Sequence, residues 1–130
     1  MNGYKKMRCT NKMTGEFIGY LGTTDNFVAI GPKLEDASDI KWEPNGNDEY
    51  LAKETTPNDR YLGGSSGDYA GWGLWIGESA PVVRNSDGTI SLKTKTSAKL
   101  FGPVRYLGVD YVKWSDTDDN QNILVCELVD

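Results

Sequence analysis

The chain has 130 residues, with 19 acidic and 14 basic side chains, a formal net charge of −5 and no histidine. An acidic field disfavours non-specific attraction to nucleic acid or to an anionic membrane surface. The lack of histidine removes the usual general base and the commonest metal ligand. We therefore predict no nucleic-acid partner, no bound metal and no cofactor.

Length and composition predict a single all-β domain. A chain of this length can bury one core and is too short for two. It contains 15 glycines, seven tyrosines and four tryptophans, and no segment shows sustained helical periodicity, which favours many short strands and turns. No segment approaches 18 consecutive apolar residues, and the first ten residues are polar and basic. We predict no membrane insertion and a cytoplasmic location.

Short β-prone segments recur along the chain with a period of about 40 to 45 residues, which is typical of a repeat architecture. Turn dipeptides at residues 45–46 (Asn-Gly) and 87–88 (Asp-Gly) close the first two units. The predicted units cover residues 1–46, 47–88 and 89–130, with four strands each. The segments are residues 7–9, 16–21, 27–30 and 40–42, then 50–53, 60–63, 74–76 and 82–84, then 90–93, 105–109, 111–114 and 123–125.

An aromatic-aliphatic-Gly tripeptide marks each unit, at residues 17–19, 61–63 and 106–108. A second copy at residues 20–22 leaves the register of the first unit open by three residues. We expect the aromatic rings of these tripeptides to be buried and related by a threefold rotation. The rings are Phe17, Tyr61 and Tyr106.

Three such units of four strands resemble a β-trefoil, in which a six-stranded barrel is capped by three hairpins. The resemblance covers the whole chain. The units resemble those of ricin-B-type lectins, whose Gln-x-Trp motif matches residues 38–40, 80–82 and 121–123 here. Only Gln121 is kept, and no tryptophan stands at the third position. The aspartate of ricin-type sugar sites is replaced by Gly19, Gly63 and Gly108, which look like the glycines in the actin-binding trefoils fascin and hisactophilin.

An acidic residue precedes an aromatic residue in each unit. The pairs are Asp25 with Phe27, Asp68 with Tyr69, and Asp110 with Tyr111. A carboxylate that accepts hydrogen bonds from sugar hydroxyls, beside a ring that packs on the C–H face of the sugar, favours weak carbohydrate binding. The alternative is that the rings are ordinary strand residues and the aspartates stabilise turns.

The glycine-rich segment 63–73 is the predicted aromatic surface. We expect Trp72 to be exposed beside Asp68 and Tyr69, because Gly71 and Gly73 have no side chains to cover it. Trp75 follows directly. The predicted ligand-binding set is completed by Trp114, Asn120 and Gln121.

An acidic segment at residues 116–127 partly matches a calcium-binding loop but has Gln121 where that loop requires glycine. We interpret it as a solvated hairpin.

The sequence predicts a lectin-like carbohydrate-binding module that is not an enzyme, with glycans or glycoconjugates as partners. No nucleophile and base are placed by their spacing within hydrogen-bond reach. The alternative function is an intracellular protein-binding β-trefoil, either actin-directed or a proteinase inhibitor.

The two cysteines, Cys9 and Cys126, stand near opposite ends of the chain. Alternation along residues 123–127 puts Ile123 and Val125 on the assumed core face and Cys126 on the other. We therefore expect a buried, reduced Cys9 and two sulfur atoms that point to different faces and cannot form a disulfide.

Overall fold

The computed structural model describes residues 3–76 and 80–130. The first six strands in this part of the chain are β1 (Lys6–Asn11), β2 (Phe17–Thr24), β3 (Phe27–Gly31), β4 (Ile40–Asn45), β5 (Asp48–Lys53) and β6 (Arg60–Gly64). The next six are β7 (Ala70–Gly73), β8 (Val82–Arg84), β9 (Ile90–Leu92), β10 (Lys95–Tyr106), β11 (Val109–Ser115) and β12 (Leu124–Val129). The described residues thus form twelve strands, as predicted.

Helical structure in the described residues is limited to two short 3-10 segments, Leu34–Asp36 and Ser66–Asp68. Nowhere in residues 3–76 and 80–130 is there a helix with the length and apolar character needed to cross a membrane. The predicted all-β fold class is confirmed.

Eight strands close into a barrel, where a six-stranded barrel was expected. Their order is β3, β7, β6, β5, β8, β9, β10 and β11, and the pairing of Tyr111 with Ala29 joins β11 back to β3. The other strands pair outside this ring, with β4 on β5, β2 on β3, β1 on β2 and β12 on β1. Two further backbone links join the outer strands to their neighbours. Lys5 bridges to Ile40 at the start of β4, and Cys126 N–H donates to Gly88 O at 2.8 Å, just before β9.

The core is built from apolar side chains that face inward along alternating positions. On β1, Met7 and Cys9 are buried while their neighbours are only half-buried, as the two-residue period of a strand requires. Three leucines are fully buried, one in each of the hairpins β2–β3, β6–β7 and β10–β11. Each lies opposite a large apolar residue of the next strand, in the pairs Leu21 with Ile30, Leu62 with Trp72, and Leu100 with Trp114.

The expected burial of the aromatic rings of Phe17 and Tyr106 is wrong. Phe17 is exposed at the start of β2, and Tyr106 and Leu107 are 58% and 84% exposed; only Tyr61 is buried as expected. Leu107 and Gly108 have positive φ angles of 48° and 79° and form the turn between β10 and β11. The fully buried leucines are Leu62, Leu21 from the second tripeptide copy at residues 20–22, and Leu100.

Two strand positions also differ from the prediction. The third strand of the second unit is Ala70–Gly73 and not residues 74–76, because the glycine-rich segment pairs with Arg60–Gly64. The long strand β10 covers Lys95–Tyr106, where the sequence predicted a strand only from residue 105. The register of β10 shifts at bulges against both of its partners, so its pairing is not one regular ladder.

The expected orientation of the cysteines is wrong. Cys9 and Cys126 are direct partners across β1 and β12, both are buried, and both are free thiols. The error lies in the assumed core face of β12, where Leu124 and Cys126 point inward while Val125 is only half-buried. The two sulfur atoms therefore face each other inside the protein.

The predicted turn at residues 87–88 is stabilised by an aspartate. Asp87 Oδ1 accepts hydrogen bonds from the N–H of Thr89 at 3.0 Å and from its hydroxyl at 2.6 Å. These two hydrogen bonds lower the pKa of Asp87 below its ordinary value. Thr89 itself is fully buried, so the turn is fixed to the core.

Asp87 should make stability pH-dependent on the acid side. A carboxylate whose folded pKa is lowered stabilises the protein above its unfolded pKa of about 3.9, and this contribution is lost as the pH falls through the folded pKa. The difference in melting temperature between the wild type and Asp87→Asn should be largest above about pH 5 and should shrink towards pH 2. The control is Asp119→Asn on an exposed loop, and a constant offset for Asp87→Asn across this range would contradict the prediction.

Candidate ligand-binding site

An open cavity of about 500 Å³ lies where the ends of three hairpins meet. Its lining consists of Gly67 and four aromatic residues: Phe27, Tyr69, Tyr106 and Tyr111. Phe27, Tyr69 and Tyr111 are three of the residues that the sequence predicted from the repeated acidic-aromatic pattern. They lie far apart in the chain, and the fold brings them together.

Backbone pairing fixes the three predicted aromatic residues. Phe27, at the start of β3, pairs with Gly71 of β7, and Tyr111 of β11 pairs with Ala29. Tyr69 forms an isolated bridge with Lys113. Each ring therefore stands on a strand or bridge held by a neighbouring hairpin, which gives the cavity a floor that is formed before any ligand arrives.

The three rings also pack against one another. The centroid distances are 6.0 Å from Phe27 to Tyr69, 6.0 Å from Phe27 to Tyr111 and 5.6 Å from Tyr69 to Tyr111, with interplanar angles of 74°, 80° and 84°. Edge-to-face pairs of this kind contribute about 0.5 to 1.5 kcal/mol each beyond burial. Lys113 Nζ lies 4.8 Å from the centroid of Tyr69 and adds a cation–π contact. The cluster is thus a rigid, half-buried aromatic surface.

Tyr106 is the lining residue that the sequence analysis assigned to another role. It was expected in the core, yet it ends β10 beside the Leu107-Gly108 turn and forms one wall of the cavity. The sequence held a signal that Tyr106 lies at a turn. A glycine between two apolar β-prone segments, here Gly108, is typical of a hairpin turn.

The aspartates beside the rings have different environments. Asp25 and Asp68 are exposed, with positive φ angles of 54° and 65°, so both help to form turns, as the alternative interpretation proposed. Among residues 3–76 and 80–130 neither forms an ion pair. Asp110 differs, because its Oδ1 accepts a hydrogen bond from Arg105 Nη1 at 3.1 Å. The carboxylates of Asp25 and Asp68 are therefore the ones that a ligand could use without breaking an ion pair.

The expected exposure of Trp72 is wrong, since the side chain is only 3% exposed. Its Nε1–H donates to Gly22 O at 3.3 Å, and the ring packs in the core opposite Leu62. Gly71 was expected to leave the Trp72 ring open to solvent, and it has the opposite effect. A Cβ on Gly71 would lie 3.0 Å from Ser65 Cβ and 3.2 Å from Asn26 O, so this glycine permits close backbone packing.

Trp114 is buried in the same way as Trp72. Its Nε1–H donates to Gly63 O at 3.1 Å. Neither indole can therefore contact a ligand in this conformation.

Trp75 belongs to a second cavity of about 530 Å³. It is 64% exposed and shares this cavity with the polar side chains of Asn58 and Asp59. Asp59 Oδ1 accepts a hydrogen bond from the hydroxyl of Tyr4 at 2.6 Å. Burial, this hydrogen bond and the charge of Asp59 raise the pKa of Tyr4 well above its ordinary value. Trp75 and Tyr69 were predicted to form one surface because they are only six residues apart. In the structure they line different cavities.

Asn120 and Gln121 lie in the loop between β11 and β12 and stabilise it. Asn120 Oδ1 accepts the N–H of Asn122 at 2.8 Å, and the carbonyl of Gln121 accepts a hydrogen bond from Asn11 Nδ2 at 2.9 Å. In the described part of the chain, no three histidine, cysteine or acidic side chains come together as a metal site.

Comparison with known proteins does not assign the chain to a family: no protein-family model matches it, and no curated protein matches it.

Proposed function

We propose that the protein is a non-catalytic carbohydrate-binding module and that the aromatic cavity is its binding site. The observation that carries the proposal is that Phe27, Tyr69 and Tyr111, one from each predicted unit, meet with Tyr106 around one cavity. The volume of about 500 Å³ falls within the range of small-ligand sites, about 300 to 1,000 Å³. The ligand would be a glycan or glycoconjugate bound at the cytoplasmic location that the sequence predicts.

The chemistry of the lining suits a sugar ring. Aromatic faces and edges pack on the C–H face of a pyranose, while the hydroxyls at its rim need hydrogen-bond partners. Three of the lining residues, Tyr69, Tyr106 and Tyr111, carry hydroxyl groups. Asp25 and Asp68 do not line the cavity, but they are exposed and stand within two residues of Phe27 and Tyr69 in the sequence. The cavity is open, and we expect weak affinity of the kind that repeated contacts with a glycoconjugate would strengthen.

We further propose that the three units form a β-trefoil. Support comes from four consecutive strands in each predicted unit and from the matching leucines Leu21, Leu62 and Leu100. The two buried tryptophans give a second line of support. Trp72 of unit two bonds to a carbonyl of unit one, and Trp114 of unit three bonds to the corresponding carbonyl of unit two.

The alternative function is binding of a protein, such as actin or a proteinase. The exposed side chains of Leu74 and Trp75 favour it, because neighbouring exposed apolar residues are typical of protein contacts. This surface lies at the second cavity, so the two functions predict effects at different residues.

Binding to a glycan array, followed by calorimetry on the best glycan, tests the proposal. Tyr106→Ala should weaken binding about tenfold, which corresponds to about 1.4 kcal/mol, because an exposed stacking ring is lost. Leu107→Ala is the matched control, since Leu107 is the next residue, is more exposed and does not line the cavity. Its affinity should equal that of the wild type.

The outcome that favours the alternative is equally specific. If no glycan binds, and Trp75→Ala rather than Tyr106→Ala weakens co-sedimentation with filamentous actin or inhibition of a proteinase panel, the carbohydrate proposal is wrong. Equal losses for Tyr106→Ala and Leu107→Ala would instead show that the turn, and not the ring, matters.

A further inference from the structure

We propose that Cys9 and Cys126 are a reversible modification site at which an intramolecular disulfide joins β1 to β12. Their Sγ atoms are 3.7 Å apart, and the residues are direct partners in the antiparallel pairing of the two strands. No other cysteine is present in the chain. The inference is independent of the aromatic cavity and of its ligand.

The backbone geometry suits a disulfide. Cys126 N–H donates to Gly88 O at 2.8 Å and is therefore turned away from β1. Cys9 and Cys126 are then a non-hydrogen-bonded pair, in which Cα atoms lie about 4.5 Å apart. Disulfides accept Cα separations of about 4.4 to 6.8 Å. Side-chain rotation can bring the sulfur atoms together without moving the strands.

The surroundings keep the pair reduced until an oxidant reaches it. The hydrogen bond with Cys126 and burial raise the pKa of the Cys9 thiol well above its ordinary value, so little thiolate forms there. Cys9 is fully buried, while Cys126 is 8% exposed. Cys126 is therefore the thiol that an external disulfide contacts first.

The reaction proceeds by two exchanges with a low-molecular-weight disulfide such as oxidised glutathione. The Cys126 thiolate attacks one glutathione sulfur, the glutathione S–S bond breaks, and one glutathione thiolate leaves. The Cys9 thiolate then attacks the Cys126 sulfur and displaces the second glutathione. Two protein thiols are oxidised, one external disulfide is reduced to two thiols, and the protons released by the cysteines protonate the leaving groups.

The disulfide would close a loop between residues separated by 117 positions. Cross-links over long loops restrict the unfolded chain most strongly. We expect oxidation to raise the melting temperature by roughly 10 °C, from the typical stabilisation and the size of the domain. The two ends of the chain would then be tied together across the β1–β12 pair.

Refolding the reduced, denatured full-length protein in excess oxidised glutathione tests the inference, because access to the thiols is then not limiting. Denaturing alkylation with a maleimide and mass spectrometry should show a monomer with no free thiol, no glutathione adduct and the loss of two hydrogens. Reduction should restore both thiols and the lower melting temperature. Stable glutathione adducts, disulfide-linked dimers or two unreacted thiols in the wild type would each overturn it.

The Cys9→Ala variant provides the matched control. Cys126 should then keep its glutathione, since the second exchange has no attacking thiol, and oxidation should no longer raise the melting temperature. A rise of the same size in this variant would also overturn the inference.

Discussion

Trp72→Ala should lower the free energy of unfolding by about 3 to 5 kcal/mol, the range for removing a large buried aromatic side chain. The indole fills the core opposite Leu62, so its loss leaves a cavity. Its Nε1–H also satisfies Gly22 O, and this hydrogen bond joins β7 to β2. Chemical denaturation followed by far-ultraviolet circular dichroism measures the change.

Trp75→Ala is the matched control for Trp72→Ala, because it removes the same side chain three residues away on the surface. Since Trp75 is largely exposed, its replacement should change the free energy of unfolding by no more than about 0.5 kcal/mol. Similar stability losses in the two variants, or a Trp72→Ala protein as stable as the wild type, would contradict the burial assignments.

The sequence could predict the tryptophans of this segment as important but not their environment. A glycine beside an aromatic ring can leave the ring open to solvent, or it can let another strand approach closely. Gly71 does the second, because Ser65 and the carbonyl of Asn26 occupy the space that a side chain would need. Whether Gly71 exposes or covers the Trp72 ring depends on contacts with other segments of the chain. The residue pattern of segment 63–73 alone carries no information about those contacts.

The aromatic cavity shows the opposite case. The repeated acidic-aromatic pattern at Phe27, Tyr69 and Tyr111 was unequal in spacing, yet it identified three rings that meet in space. The pattern succeeded because each ring follows a turn at the same end of its hairpin. The roles of the aspartates were less predictable, since the same residue type serves turns, ion pairs and ligands.

The cysteines show how a small error in strand phase changes a conclusion. The two-residue period is strict, so choosing Val125 instead of Cys126 as a core residue reverses the face of every side chain on β12. Both residues are apolar enough to be buried, and the local sequence does not distinguish them. The backbone bond from Cys126 to Gly88 and the pairing with β1 decide the phase.

The second large expected effect is on stability and concerns which leucine of the third predicted unit packs in the core. Leu100→Ala should cost about 2 to 5 kcal/mol of folding free energy, because Leu100 is fully buried opposite Trp114. Leu107→Ala, in the tripeptide that the sequence analysis placed in the core, should cost no more than about 0.5 kcal/mol.

The proposed equivalence of the three units adds a further requirement to this prediction. Leu21→Ala and Leu62→Ala should fall in the same range as Leu100→Ala, since all three leucines are fully buried opposite a large apolar residue in the β2–β3, β6–β7 and β10–β11 hairpins. Denaturant unfolding of the four variants under identical conditions provides the comparison. A large loss of stability for Leu107→Ala together with a small one for Leu100→Ala would contradict the prediction, because the tripeptide at residues 106–108 would then pack in the core. It would also remove the support that the leucines give to the proposed threefold arrangement.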